Sequence, residues 1–260
     1  MRASGRLPVA EAGRVAVVTG AARGIGLALT RKFLDAGYRV AMLDVDAANL
    51  APSAKEVGRG VLPIACDVSV PAQVKSAVAR IEADFGRIDA LVNNAGVGNT
   101  QGPFEDTRPE DLVYTFEVNV FGLFYCSQAA VRRMSTRHGG KGGAIVNLSS
   151  AAARTGGVGA FIDYAGSKAA VDVITTGLAR EVGGVGIRVN AVRPGVTETD
   201  MIAHARAMDP TWLDTVVKTM PMGRIGQVRE ISHAVVWLLS DEASYVTGTI
   251  IDASGGRAVP

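Results

Sequence analysis

The sequence predicts an α/β fold, a doubly wound parallel sheet of about seven strands with helices on both faces. Short β-branched apolar runs alternate with longer stretches of helical periodicity along the chain, the order expected of strands joined by crossover helices. The short runs are continuously apolar, as strands buried on both faces are. At 260 residues, 48% of them hydrophobic, the chain can fill one sizeable core.

Taken in order, strands are predicted at Val15–Thr19, Val40–Asp44, Val61–Cys66, Ala90–Asn93, Ala144–Ser149, Ile187–Val192 and Thr249–Ile251. Helical periodicity marks Leu27–Ala36, Gln73–Phe85, Leu112–Met134, Tyr164–Val182 and Arg229–Leu239. The glycine-rich pieces Gly139–Gly143, Gly156–Gly159 and Gly183–Gly186 fall between these elements and read as turns. Pro194–Pro221 is a long stretch of weak periodicity, the kind that covers substrates in compact enzymes.

Composition narrows the partners. Net charge is +2, with 27 basic and 25 acidic residues interspersed, so neither nucleic acid nor an anionic membrane is expected as a partner. No stretch approaches the ~20 apolar residues of a membrane span. The first 13 residues lack the apolar run of a signal peptide and read as a flexible tail. Cys66 and Cys126, the two cysteines, each sit in an apolar stretch, which suits buried thiols in a reducing, cytoplasmic compartment. The three histidines, His138, His204 and His233, lack ligand spacing, so no metal is expected.

The first strand runs straight into Gly20-Ala-Ala-Arg23-Gly24-Ile25-Gly26, and a helix follows. This is the strand, turn and helix order of a Rossmann-type site, where glycines admit a pyrophosphate to backbone N–H groups at a helix N-terminus. Asp44 closes the next strand 18 residues after Gly26, near the ~20-residue spacing of an acid that grips the adenosine ribose. A carboxylate there accepts from both ribose hydroxyls and repels a 2′-phosphate, so NAD is expected over NADP. Arg23 pulls the other way, since a guanidinium pairs well with that phosphate. Without a ligand, Asp44 reads as a solvated strand end and Asp46 as the cap of a following turn. Asp67-Val68 ends the third strand, where Asp67 faces adenine or forms a turn. Asn94-Ala95-Gly96 ends the fourth, where small residues let cofactor and backbone approach.

Tyr164-Ala-Gly-Ser-Lys168 opens a predicted helix, and i, i+4 spacing stacks phenol and ammonium on one face. The cation is expected to lower the phenol's pKa from its usual ~10 and fit it for proton transfer near neutrality. Ser149-Ser150 follows a strand's C-terminal end, where open α/β sheets place ligands. Either hydroxyl could polarise a substrate oxygen. Arriving on successive βα units, these features support one another more than any does singly.

From Arg14 to about Gly256 the chain resembles the short-chain dehydrogenase/reductase family, through Thr19-Gly-Ala-Ala-Arg-Gly-Ile-Gly26, Asn93-Asn-Ala-Gly96, Asn119, Ser150, Tyr164-x-x-x-Lys168 and Pro194-Gly195. The resemblance implies that Tyr164 exchanges the proton, Ser150 orients the substrate oxygen, Lys168 holds the nicotinamide ribose, and Asn119 supports a water relay. Pro194, Gly195, Thr197 and Thr199 would contact the nicotinamide carboxamide. It also implies residues 14–260 as a single dinucleotide-binding and catalytic domain, with a substrate loop over about 195–222. Helices spanning about 109–134 and 164–182 would pack across a two-fold axis in a homotetramer, or a dimer. Ser150 stands 14 residues before Tyr164, one more than the family's usual spacing, which keeps Ser149 in view. Asp252-Ala-Ser-Gly-Gly256 replaces the commoner Val-Asp-Gly-Gly.

The expected activity is interconversion of a secondary alcohol and a carbonyl by hydride transfer with NAD, on a small-molecule substrate. One alternative is an NADPH-dependent reductase of 3-oxoacyl thioesters on an acyl carrier protein, with Arg132, Arg133, Arg137 and Lys141 as a basic entrance. A remote one is a non-catalytic cofactor sensor. Phe161, Met208, Trp212 and Met220 are candidate pocket walls.

Overall fold

A computed structural model describes residues 13–98, 103–157, 161–199, 202–203 and 211–258. The expected N-terminal tail lies almost wholly outside them, as does much of the expected substrate loop, including Met208. Seven parallel strands form one sheet: β1 (Val15–Thr19), β2 (Arg39–Asp44), β3 (Val61–Ala65), β4 (Ala90–Asn93), β5 (Gly143–Leu148), β6 (Ile187–Pro194) and β7 (Ile250–Ala253). Their order is β3-β2-β1-β4-β5-β6-β7. The chain winds outward from β1 to β3, then crosses back to β4, so β1 and β4 flank the point where winding reverses. Crevices outside the strand C-termini at such a point are where open α/β sheets bind ligands.

The strands are apolar on both faces because both are covered. Along β1, Ala16 and Val18 enter one apolar core while Val15 and Val17 enter the other, as the two-residue period requires. The first core is closed by Leu29 and Phe33 of α1 (Gly24–Asp35) and by Ile231, Val235 and Leu238 of the helix Val228–Leu239. The second is closed by Val74, Val78 and Ile81 of α3 (Pro71–Phe85), Cys126, Ala130 and Met134 of α5 (Gly122–Met134), and Ala179 and Val182 of α7 (Ile162–Val182). Among the described residues, no helix is long and apolar enough to cross a membrane.

Three elements differ from expectation. Helix α2 (Ala47–Val57) was not expected: Pro52 interrupts it, and it buries only Leu50 and Ala54. Asp46 caps it by accepting from Asn49 N, the role its position suggested. A helix Trp212–Lys218 stands within the expected substrate loop. The stretch read as one helix over Leu112–Met134 is α4 (Pro109–Phe116), a π turn (Glu117–Phe121) and α5.

Candidate active site

At the β1 C-terminus the glycine turn is packed so closely that side chains cannot enter. A Cβ on Gly26 would lie 2.0 Å from Gly20 O and 2.8 Å from Asn94 Nδ2, and one on Gly20 would lie 2.9 Å from the same nitrogen. Gly20 and Gly24 have φ of +63° and +56°, a region that L side chains enter at a cost of roughly 1–2 kcal/mol. Asn94 holds the turn, its Nδ2 donating to Thr19 O at 2.8 Å and Gly20 O at 2.9 Å. Thr19 completes the clamp: its hydroxyl accepts from Asn94 N and Ala95 N and donates to Val92 O. The first turn of α1 carries no acidic side chain, which leaves its positive end to an anion. Ile25 packs partly against the first core.

Asp44 reaches across from β2. Its Oδ2 accepts from Ala22 N at 2.9 Å and its Oδ1 from Asp46 N at 2.9 Å, so the acid fixes the glycine turn as well as facing it. Each carboxylate oxygen keeps a further lone pair for a ligand. Arg23 is exposed at the N-terminus of α1. Asp67 has taken the turn role, its Oδ1 accepting from Ser69 N and Oγ. Val68 is buried against Gly122, where a Cβ would meet its side chain at 2.7 Å.

The π turn explains Asn119. Gly122 N donates to Glu117 O, five residues back, and such bulges concentrate at functional sites. Asn119 Oδ1 accepts from Val97 N at 2.8 Å, while its Nδ2 donates to Val97 O and Ser167 Oγ, each at 2.9 Å. The side chain thus ties the segment after β4 to α7. Gly96 admits the contact, since a Cβ there would sit 3.2 Å from both Asn119 Oδ1 and Lys168 Nζ.

Lys168 is buried, and its Nζ donates to Leu148 O at 2.8 Å. Burial pushes its ammonium down to about 8, with the Asp172 carboxylate pulling it back up. Its Nζ lies 5.6 Å from the centre of the Tyr164 ring. The Ser150 hydroxyl stands close enough to the Tyr164 phenol to pull its pKa down in part, and it accepts from Ala152 N at 3.1 Å. Ser149 instead points into the fold, its buried hydroxyl donating to Lys168 O. The geometry therefore puts Ser150, not Ser149, beside Tyr164. The expected lowering of the phenol by Lys168 is corrected: burial pushes Tyr164 above its ordinary range and the nearby Ser150 hydroxyl pulls it back only in part. Lys168 is turned to the β5 carbonyl, so desolvation outweighs the cation.

A small cleft at this junction is lined by Thr19, Val68, Asn93, Ala95, Asn119, Cys126 and Lys168. Gly195 packs so tightly against the residue after β7 that a Cβ would meet Ser254 Cα at 2.7 Å. Thr197 follows Pro194-Gly195. It is buried, its hydroxyl donating to Gly195 O at 3.0 Å, so toward a ligand that oxygen can only accept. Thr199 reaches back over the glycine turn, where a Gly24 Cβ would find its Cγ2 at 3.8 Å. Phe161 and Tyr164 both border Gly98, and Phe161 holds a φ of +78° at the start of α7, a strained conformation of the kind stored at binding sites. Met220 is buried.

Sequence reasoning missed the buried polar chain behind the cleft. Asn93 Nδ2 donates to Ser127 Oγ and Asn147 Oδ1, and Asn147 Nδ2 donates to Thr175 Oγ1. Asparagine within an apolar strand was the signal available. Arg132, Arg133, Arg137 and Lys141 lie at the other end of β5 from Ser150, and Arg133 pairs with Glu82 at 2.6 Å. They do not rim the cleft.

A family model described as enoyl-(acyl carrier protein) reductase matches residues 20–258. The chain is 44% identical to the uncharacterized oxidoreductase YgfF of Escherichia coli (strain K12), over 94% of this chain and 99% of that one. It is 39% identical to a 3alpha-hydroxysteroid dehydrogenase of Mediterraneibacter gnavus, over 93% and 96%. The solved structure of a 3-ketoacyl-(acyl-carrier-protein) reductase from Brucella melitensis, complexed with NADH, is similar with a TM-score of 0.88, 31% identity and coverage of 95% and 99%. By family match, sequence and fold together, this chain belongs to the short-chain dehydrogenase/reductase family and is an oxidoreductase.

Proposed function

We propose that the chain interconverts a secondary alcohol and a ketone, with NAD as the preferred cofactor and Tyr164 as acid/base. The observation that carries this reading is the convergence of Ser150, Tyr164, Lys168 and Asn119 at the C-terminal ends of β4 and β5, beside a glycine cradle. The cradle fits a dinucleotide: Gly20 and Gly26 exclude side chains, and the α1 N-terminus offers free N–H groups without a competing acid. A nicotinamide held there supplies or takes up the hydride. Tyr164 Oη gives a proton to the substrate oxygen in reduction and removes it in oxidation. Ser150 Oγ holds the same oxygen, and Lys168 supplies positive charge and a donor for ribose hydroxyls. Buried, fixed groups of this sort lower the barrier by orientation and electrostatics.

Asp44 supports NAD. Asp44→Ala is expected to lower the ratio of NADPH to NADH dissociation constants at least about tenfold, because removing one like charge relieves more than about 1.4 kcal/mol of repulsion. Loss of the Ala22 N contact loosens the turn for both cofactors, so the ratio isolates the charge. An unchanged ratio in paired fluorescence titrations removes the ground for preferring NAD. The second reading, reduction of 3-oxoacyl thioesters, is favoured by the Brucella relative. It uses the same protein groups and differs in substrate.

Assembly as a homotetramer, with a dimer as the alternative, is supported by exposed Leu112, Val113, Tyr114, Phe121 and Phe124 along α4 to α5, and Val173 on α7. Light scattering is expected to give four times the 27.0 kDa chain mass, and a monomer at micromolar concentration contradicts it. Free, buried Cys66 and Cys126 thiols, pushed up to about 11 and about 12 by burial, suit a reducing cytoplasm.

A further inference from the structure

The charged groups around Lys168 extend past the family's motif. Asp172 lies one turn further along α7, so Tyr164, Lys168 and Asp172 share one face of that helix. Asp172 is buried. Its Oδ2 accepts from Arg193 Nε at 2.9 Å and Nη2 at 2.8 Å, whereas its Oδ1, equally buried, has no hydrogen-bond partner among the described residues. Arg193 stands directly before Pro194-Gly195 on β6, and its Nη1 lies 3.4 Å from Asp252 Oδ1 of β7. Asp252 Oδ2 lies 3.4 Å from Arg154 Nη1 in α6 (Ala152–Thr155), four residues after Ser150. One chain of alternating charge therefore joins the segments that carry Ser150, Lys168 and Pro194-Gly195.

A purely structural Arg–Asp pair commonly engages both carboxylate oxygens in a fork. Here Arg193 takes one, and the other stays desolvated, a costly state unless a further cation compensates it. The nearby cation is Lys168, one turn earlier on the same helix face, whose charge the Asp172 carboxylate favours. The residues of β4, β5 and the π turn that line the same cavity as Lys168, with Ala95 just past β4, are uncharged: Asn93, Ala95, Leu148 and Asn119. Cys126 of α5 keeps its proton, and Tyr164 is neutral below its raised range.

We propose that Asp172, gripped by Arg193, is a positioning residue that keeps Lys168 charged beside Tyr164. This rests on the acid/base reading of Tyr164 and Lys168. Asp172 opposes the burial that draws the Lys168 ammonium down, and Arg193 meters how much of that negative charge Lys168 feels. Removing Asp172's charge makes Lys168 lose its proton at lower pH. Removing Arg193's charge has the opposite sign.

The test follows the 13Cε resonance of Lys168 with pH in lysine-labelled full-length protein, assigned by its absence in Lys168→Met. Asp172→Asn is expected to move the midpoint down by about one unit, and Arg193→Gln to move it up by about half a unit. Arg193→Lys is expected to restore the wild-type midpoint. A shared loss of stability without opposed midpoint shifts overturns the proposal, as does an unmoved midpoint in Arg193→Gln should Asp172→Asn fail to fold. The resonance reports Lys168 itself, so its result stands apart from turnover in Tyr164→Phe, which tests the acid/base reading.

Discussion

Tyr164→Phe is expected to lower turnover by roughly a thousandfold, the scale of a lost general acid/base, while NADH affinity stays within about twofold of wild type, a change under about 0.4 kcal/mol. The reasoning starts from what the phenol touches. The Ser150 hydroxyl is near enough to pull the phenol's pKa down in part, and the Tyr164 ring rests over Gly98 rather than on the glycine turn. Phenylalanine keeps that ring contact and removes only the hydroxyl. The Ser150 hydroxyl is half-buried and can turn to solvent, so the melting temperature should change little. Steady-state rates on a ketone panel, paired with NADH titration, check both halves. Wild-type rates in the variant would remove Tyr164 from the mechanism.

Gly26→Ala is expected to weaken NADH binding by roughly a thousandfold, the equivalent of two lost charge-assisted bonds to phosphate. The added methyl would sit 2.0 Å from Gly20 O and 2.8 Å from Asn94 Nδ2, far inside contact distance, so the backbone must move. Gly20 and Asn94 are tied to Thr19, and through it to β4. The displacement therefore spreads from the turn into the β1–β4 crevice. Overpacking of this kind costs about 1–3 kcal/mol and should lower the melting temperature by about 5 °C. Calorimetry and NADH titration on the same preparation separate the two effects. Wild-type affinity would mean that the turn does not hold the cofactor.

The parts of this fold that could be read from sequence are those whose physics is local. The run Val15–Thr19 is apolar on both faces and ends on a glycine turn, so strand, turn and helix are all encoded within about 20 residues. Helix α2 was invisible because Pro52 interrupts its pattern and its buried stripe is two residues wide. The π turn was invisible for another reason: it changes hydrogen-bond register without changing the side-chain pattern around Asn119. At the site, residue types were legible and their partners were not. Asn94 was read as room for a ligand, yet it clamps the glycine turn 75 residues upstream. The phenol's pKa was misjudged in sign because spacing reveals a nearby cation but not the burial that outweighs it. Asp172 and Arg193 meet only once α7 lies along β6, 21 residues apart in sequence.

Titration of the wild-type protein with NADH and separately with NADPH, followed by nicotinamide fluorescence, tests the central claim most directly. The account predicts saturable binding of NADH, tighter than that of NADPH, because the proposed place of the ribose is beside the Asp44 carboxylate at the end of β2. Tighter NADPH binding, or no saturable binding of either, would contradict it.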